Sequence, residues 1–270
     1  MGTPDVSGKI ANMHDFAGQQ VIVCGAGRGI GRACALAFAQ AGASVCIISR
    51  TEADLLQVAE LGRKNFAAEI QIVVGDLTTD AGREALFEKC PQPEILITNS
   101  GGPKPGNFQK FEREDWLQAF DENMVSLVLL IKEAAQRMTL RKYGRIVNIT
   151  SSAVKAPLPF LALSNAARSA FTWAVSGLAR ELAPQGITIN NVLPGPTDTE
   201  RLRSNFEYRA SKSGVAVEDL MEETLKKIPC NRFGKPEEVA HAVMMFAHKN
   251  AGFITSQNLL VDGGAFPGAI

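Results

Sequence analysis

Tyrosine, tryptophan and histidine are scarce in this chain, at two, two and three residues in 270. Cysteine is present five times, at Cys24, Cys34, Cys46, Cys90 and Cys230, with no CxxC pair and no regular spacing. That pattern excludes a disulfide framework and a zinc ribbon, and it fits buried, reduced thiols in a cytoplasmic protein. His14, His241 and His248 lie outside every segment with a site-like pattern, so no metal site is expected. Charge of one sign is also missing: 28 basic residues face 28 acidic ones, with no long run of either. An electrostatic footprint for nucleic acid or an anionic membrane is therefore absent. Residues 1–16 hold no continuous apolar segment and only one basic residue, Lys9, so they read as an N-terminal extension and not a signal peptide. The most apolar stretch, Met124–Ile131, is too short to span a bilayer and is interrupted by Ser126. No internal repeat and no linker rich in proline, glycine and serine divides the chain, so a single domain over 1–270 is expected.

What is present is a regular alternation. Short β-branched runs at Val21–Cys24, Ser44–Ser49, Ile70–Val74, Ile95–Thr98, Arg145–Ile149, Ile187–Val192 and Asn258–Val261 predict seven strands. Helix-length amphipathic patterns lie near 29–42, 51–67, 80–90, 112–142, 161–183 and 236–248, the last opened by Pro236. Apolar strands separated by helices indicate an α/β, doubly wound, Rossmann-type parallel sheet covered on both faces. The segment 197–232 breaks this rhythm, being charged, helical in propensity and inserted after the sixth strand. An insertion there falls where doubly wound sheets bind ligands, so it reads as a substrate lid.

The run Gly25-Ala-Gly27-Arg28-Gly29-Ile30-Gly31 passes from the first strand straight into a helix. Glycines let the backbone approach a pyrophosphate, and the helix N-terminus offers amide donors with a favourable dipole. A site selective for NAD carries an acidic residue after the second strand for the ribose 2′-hydroxyl. This chain has Ser49 and Arg50 there, with Arg28 in the glycine loop. Two arginines pair with a 2′-phosphate and no carboxylate repels it, so NADP is expected over NAD.

Gly25, Gly29 and Gly31 match the Gly-xxx-Gly-x-Gly spacing of the short-chain dehydrogenase/reductase family, which the chain resembles from about Gly18 to Gly264. Cys24 stands where that family usually has threonine. Asp76-Leu77 resembles the family's adenine-contacting pair, and Asn99-Ser-Gly101-Gly102 its segment after the fourth strand. Asn123 resembles the helix asparagine that holds a relay water, and Ser151 the serine that hydrogen-bonds a substrate carbonyl. Pro194-Gly195 with Thr197 and Thr199 resembles the nicotinamide and phosphate segment, and Val261-Asp-Gly-Gly264 the C-terminal signature. The resemblance implies a seven-stranded fold, a nicotinamide cofactor and a catalytic tyrosine and lysine at positions 164 and 168.

Those positions hold Ser164 and Arg168. A phenol with a pKa near 10 is a competent proton donor beside a cation; an alkyl hydroxyl is far weaker, and a guanidinium stays protonated. Tyr143 precedes the fifth strand, at the sheet edge opposite the site, and Tyr208 falls within the lid. Lys155, four residues after Ser151, is the candidate replacement acid, or else a fixed cation for a substrate anion. The pattern is similar to a divergent bacterial subgroup labelled 3-oxoacyl-carrier-protein reductase, which assigns no substrate.

Three functions are thus compatible with the chain. The first is an NADP(H)-dependent oxidoreductase acting on a small-molecule carbonyl or alcohol, with proton delivery by Lys155, water or substrate. The second is a catalytically silent NADP-binding sensor or scaffold. The third is a lyase or isomerase on the same fold. Ser151, Asn123 and the loop threonines favour an enzyme, since cofactor binding alone does not demand them. The apolar stripes of 112–142 and 161–183 resemble the family's dimer helices and imply a homotetramer or homodimer.

Overall fold

The computed structural model describes residues 15–268. Seven strands form one parallel sheet: β1 (Gln20–Cys24), β2 (Ser44–Ser49), β3 (Ile70–Val74), β4 (Ile95–Thr98), β5 (Gly144–Ile149), β6 (Ile187–Pro194) and β7 (Asn258–Val261). Their order is β3-β2-β1-β4-β5-β6-β7. The order reverses between β1 and β4, and the crevice beyond the C-terminal ends at that switch is where such sheets take ligands.

Period-two alternation distributes the strand side chains between two cores. Val21 and Val23 join one, with Phe38 of α1 (Gly29–Gln40), Leu55 and Val58 of α2 (Glu52–Phe66), and Val239 and Val243 of the C-terminal helix. Ile22 and Cys24 join the other, packed by Leu86 of α3 (Asp80–Lys89) and by two long helices on that face. Each fully buried side chain of this size contributes about 1.5–3 kcal/mol, which fixes the register of every strand. Phe16 is fully buried and packs edge-on against Phe38, with ring centroids 5.0 Å apart. The expected extension over residues 1–16 therefore stops short of Phe16, which belongs to the core. Residues 1–14, His14 among them, lie outside the described residues.

The single helix expected over 112–142 is two. α4 (Arg113–Phe120) and α5 (Ser126–Thr139) are joined by a π-turn over Asp121–Val125. The wider turn rotates the following face, and Asn123 within it is buried. α6 (Ala162–Leu182) runs unbroken. The insertion forms α7 (Glu200–Ser213), capped by the Thr199 hydroxyl, and α8 (Val217–Leu225). α9 (Pro236–Ala247) closes the order, with proline in its first turn.

The strands are less apolar than expected. Thr98 Oγ1 donates to Asn148 Oδ1 at 2.7 Å, Asn148 Nδ2 to Asn191 Oδ1 at 2.9 Å, and Asn191 Nδ2 to Asn258 Oδ1 at 2.8 Å. This chain of side-chain hydrogen bonds crosses four strands, β4 to β7, and gives Thr98, Asn148 and Asn191 partners inside the sheet. The four cysteines in the core are all free and buried. Burial pushes the Cys90 thiol up to about 11 and those of Cys34 and Cys46 up to about 12, so they stay protonated and inert. Among the described residues, no helix is long and apolar enough to cross a membrane, and no cluster of His, Cys, Asp or Glu is suited to a metal ion.

Candidate active site

A cavity of about 750 Å³ opens at the C-terminal ends of β1, β4, β5 and β6. It runs from the glycine loop past Asn99–Gly102 and Thr150–Ser152 to Ser164, Arg168 and the first two turns of α7. A second hollow of about 450 Å³, lined by Ser49, Arg50, Asp76 and Leu77, shares Gly25, Arg28 and Asn99–Gly102 with it. The two form one groove across the switch point.

The glycine loop owes its path to missing side chains. Gly25 has φ +57°, and a Cβ there would fall 2.8 Å from Asn99 Nδ2. A Cβ on Gly31 would overlap the Gly25 carbonyl oxygen, so the loop closes this tightly only with glycine at both places. Asn99 Nδ2 donates to that same carbonyl at 3.1 Å and pins the turn. The N-terminus of α1 then faces the groove with no side-chain cap and no acidic residue in its first turn. Free amides with a favourable dipole and a glycine cradle fit a dinucleotide pyrophosphate.

The end of β2 differs from expectation in one respect: a carboxylate is present. Asp54, in the first turn of α2, reaches back to Arg28, whose Nε lies 2.7 Å from its Oδ2. Arg28 Nη1 meets Glu200 of α7 at 2.7 Å, tying the glycine loop to that helix. Arg50 has only a loose 3.8 Å approach to Asp76. Asp76 itself is held below the usual carboxylate range, first by the Thr78 backbone amide at 3.0 Å, with help from the Thr78 hydroxyl and Arg50. Arg28 is thus engaged by two carboxylates, and Arg50 is the freer cation.

At the other end of the groove, Arg168 of α6 is half-buried and fixed by carbonyls alone. Nη1 donates to Ile149 O at 3.2 Å and Thr150 O at 2.9 Å, and Nη2 to Ser100 O at 3.2 Å. Three of its five N–H groups are used, leaving Nε–H and one Nη2–H. Burial and the neighbouring Arg201 push the guanidinium down to about 10, still a cation at neutral pH. Ser151 Oγ accepts from the Ala153 amide at 3.1 Å, so its own hydrogen is free to be donated into the cavity. Ser164, 8% exposed, lines the cavity wall. Asn123 Oδ1 accepts from Ser100 Oγ at 3.0 Å, while its Nδ2 is buried without a partner.

The groove gathers most of the residues singled out from the sequence. Gly25, Gly27, Arg28, Gly29, Ile30, Ser49, Arg50, Asp76, Leu77, Asn99, Gly101, Ser151, Ser164, Arg168, Pro194, Gly195, Thr197 and Thr199 line it. Three do not. Gly31 acts from behind the loop, and Asn123 sits one layer back, behind Ser100. Lys155 ends the short 3₁₀ turn after β5, half-buried, and is not part of the cavity wall. Tyr208 is also outside the lining, and Tyr143 OH accepts from Gln19 Nε2 at 2.9 Å, at the opposite ends of the strands. Sequence reasoning missed Asp54, Glu200, Arg201, Asn205 and the tail Ala265–Pro267, which also face the groove. A helix starting right after Arg50 was a signal for Asp54; nothing local marked the others.

A doubly wound parallel sheet with a glycine turn at its switch point is a Rossmann-type nucleotide-binding architecture. The chain belongs to the short-chain dehydrogenase/reductase family: residues 25–265 match the family described as enoyl-(acyl carrier protein) reductase. It is 33% identical to a 3-oxoacyl-[acyl-carrier-protein] reductase of Synechocystis, over 93% of this chain and 98% of that one. It is 30% identical to the NADPH-dependent reductase BacG of Bacillus subtilis, over 90% and 96% of the two chains. The crystal structure of YwfH, an NADPH-dependent reductase involved in bacilysin biosynthesis, superposes with a TM-score of 0.88 at 29% identity, covering 93% of this chain and 99% of that one.

Proposed function

We propose that this protein is an NADP(H)-dependent oxidoreductase acting on a small-molecule carbonyl or alcohol, with a proton supply that does not use a tyrosine. The observation that carries the reading is the groove itself, which runs from an uncapped helix N-terminus and a glycine cradle to a free serine hydroxyl beside a fixed cation. Similarity to NADPH-dependent reductases supports the choice of cofactor.

The glycine loop and the amides of α1 would hold the pyrophosphate, Arg50 and Ser49 the 2′-phosphate, and Asp76-Leu77 the adenine. Thr197, Thr199 and the Pro194-Gly195 turn would hold the nicotinamide end. When bound, the cofactor supplies a hydride to the carbonyl carbon. Ser151 donates its free O–H to the substrate oxygen and fixes its position. Arg168 places its charge and its two remaining N–H groups beside the ribose and the negative charge that develops on that oxygen. Asn123, through its unpartnered Nδ2, orders water behind Ser100. The proton then reaches the oxygen from water held near Ser151 and Ser164. Arg168 is too firmly protonated to relay it, and Lys155 has the weaker claim because it is not part of the cavity wall.

NADPH consumption on a panel of ketones, aldehydes and enones tests this. Turnover that survives Ser164→Ala and Lys155→Ala but falls with Ser151→Ala supports a water-derived proton. Collapse with Lys155→Ala alone returns the acid role to Lys155. A second reading, a silent NADP-binding sensor, is favoured by the lack of tyrosine, histidine and cysteine among the cavity-lining residues. Tight NADPH binding with no turnover on any compound would select it. We also infer a cytoplasmic homotetramer or homodimer, supported by Leu117, Val125, Leu129 and the 78%-exposed Trp173 on α4 to α6. Sedimentation of wild type and Trp173→Glu tests the assembly.

A further inference from the structure

The lid helix α7 contributes a residue to the cavity that the proposed reaction leaves unused. Arg201, in its first turn, lines the cavity, and its Nη2 donates to the Pro103 carbonyl across the groove. Gly102 makes this reach possible: a Cβ there would lie 3.0 Å from Nη2, 3.3 Å from Nε and 3.4 Å from Cζ of Arg201. The guanidinium packs against the bare backbone at position 102, and a larger residue there would push it back by a few tenths of an ångström.

The surrounding charge is unbalanced. Six charged side chains line the cavity, the cations Arg28, Arg168, Arg201 and Lys227 and the carboxylates Glu200 and Asp262. Glu200 is engaged with Arg28, and Lys227 pairs with Glu223 at 2.5 Å. Asp262 accepts the backbone amides of Gly264 and Phe266. Among the described residues, neither Arg168 nor Arg201 has a carboxylate partner, and Arg201 lies close enough to raise the cost of the charge on Arg168. Arg201 also works against its own helix, since a cation in the first turn opposes the macrodipole. One turn further on, Asn205 lines the same cavity with a buried Oδ1 that has no partner. Leu158, Leu161, Leu202, Ile228 and Phe266 supply apolar wall. The contact to the Pro103 carbonyl accounts for one N–H of Arg201, and the Asn205 amide oxygen has no partner among the described residues. An anion entering from solvent would offset the excess charge, and a guanidinium with most of its fork free suits a carboxylate.

We propose that Arg201 is a specificity-determining residue that binds a carboxylate on the substrate, so that the carbonyl compounds accepted by this site are acids with an apolar body. The assignment rests on the oxidoreductase reading for where the reacting carbonyl sits, but the carboxylate subsite is testable by binding alone. The residues that would hold the cofactor phosphates are at the α1 end, and Arg201 is not needed there.

The test is calorimetric titration of the NADPH-loaded protein with 4-oxo-4-phenylbutanoate, 4-oxocyclohexanecarboxylate and their methyl esters. The acids are expected to bind about tenfold to a hundredfold more tightly than their esters, the range for a charge-assisted pair. Arg201→Gln should abolish that preference, Arg201→Lys should restore part of it, and NADPH affinity should hold in both. Equal affinity of acids and esters, no binding of either acid, or loss of NADPH binding in Arg201→Gln overturns the proposal. Acid preference without NADPH oxidation supports the subsite while refuting the oxidoreductase reading, so the two failures are told apart.

Discussion

Replacing Arg168 by methionine removes the cation that links the ends of β4 and β5 to α6 while keeping most of the side-chain volume. Three carbonyls, Ile149 O, Thr150 O and Ser100 O, lose their guanidinium donor. At about 1.5 kcal/mol for each charge-assisted bond, the gross loss is about 4–5 kcal/mol. Against this stands the relief of a partly buried charge with no carboxylate partner, which returns roughly half of that amount. The net expectation is a destabilisation of about 2 kcal/mol, or a fall of about 4–8 °C in Tm for a domain of this size. Calorimetry of the cofactor-free protein measures it. Arg168→Lys keeps the charge but not the planar fork, so it should recover hydride-transfer activity more fully than stability. Melting of Arg168→Met together with the wild type would refute this expectation, because the carbonyl contacts would then be replaced by water at no net cost. It also fails if the lysine variant is as stable as wild type but inactive.

Three further expectations follow from the site and its frame. Ser151→Ala should lower kcat by about 10²–10³-fold with NADPH affinity unchanged, as expected for one lost donor to a developing oxyanion; steady-state kinetics beside a fluorescence titration separate the two quantities. Arg50→Ala should weaken NADPH by about tenfold and leave NADH unaffected, whereas Asp54→Asn, by freeing Arg28, should strengthen NADPH; paired NADPH and NADH affinities decide this. Glu238 is held down to about 2, first by the Arg232 guanidinium and then by the Lys235 amide at the start of α9. Its folded value lies below its unfolded one, so its contribution to stability is complete above pH ~4.5 and fades as pH falls towards 2. The difference in urea midpoint between wild type and Glu238→Gln should shrink over that window, and a difference independent of pH would refute the assignment.

The strands were legible because a sheet covered by helices selects short runs rich in β-branched and apolar residues, set apart by helix-length segments. Ser44–Ser49, Ile70–Val74, Ile95–Thr98 and Asn258–Val261 are the strands the pattern predicted. The glycine loop was legible for a similar reason: only glycine permits both the positive φ at Gly25 and the close packing at Gly31. The helix over 112–142 was not, since a π-turn keeps helical periodicity almost intact while turning Asn123 inward. The polar ladder through Asn148 and Asn191 was hidden inside strands whose neighbours are apolar.

Sequence by itself determined the alternation of elements, the glycine cradle and the presence of Ser164 and Arg168 one turn apart on the same helix. These depend on residue identity at short spacing, where local sterics and periodicity leave few choices. Tertiary structure alone decided which charges meet. It brought Asp54 and Glu200 onto Arg28, kept Lys155 out of the cavity wall, and set Arg201 opposite Gly102. Electrostatic partners are chosen by distance in space, and the position of the insertion after β6 does not say which of its charged residues will meet the groove.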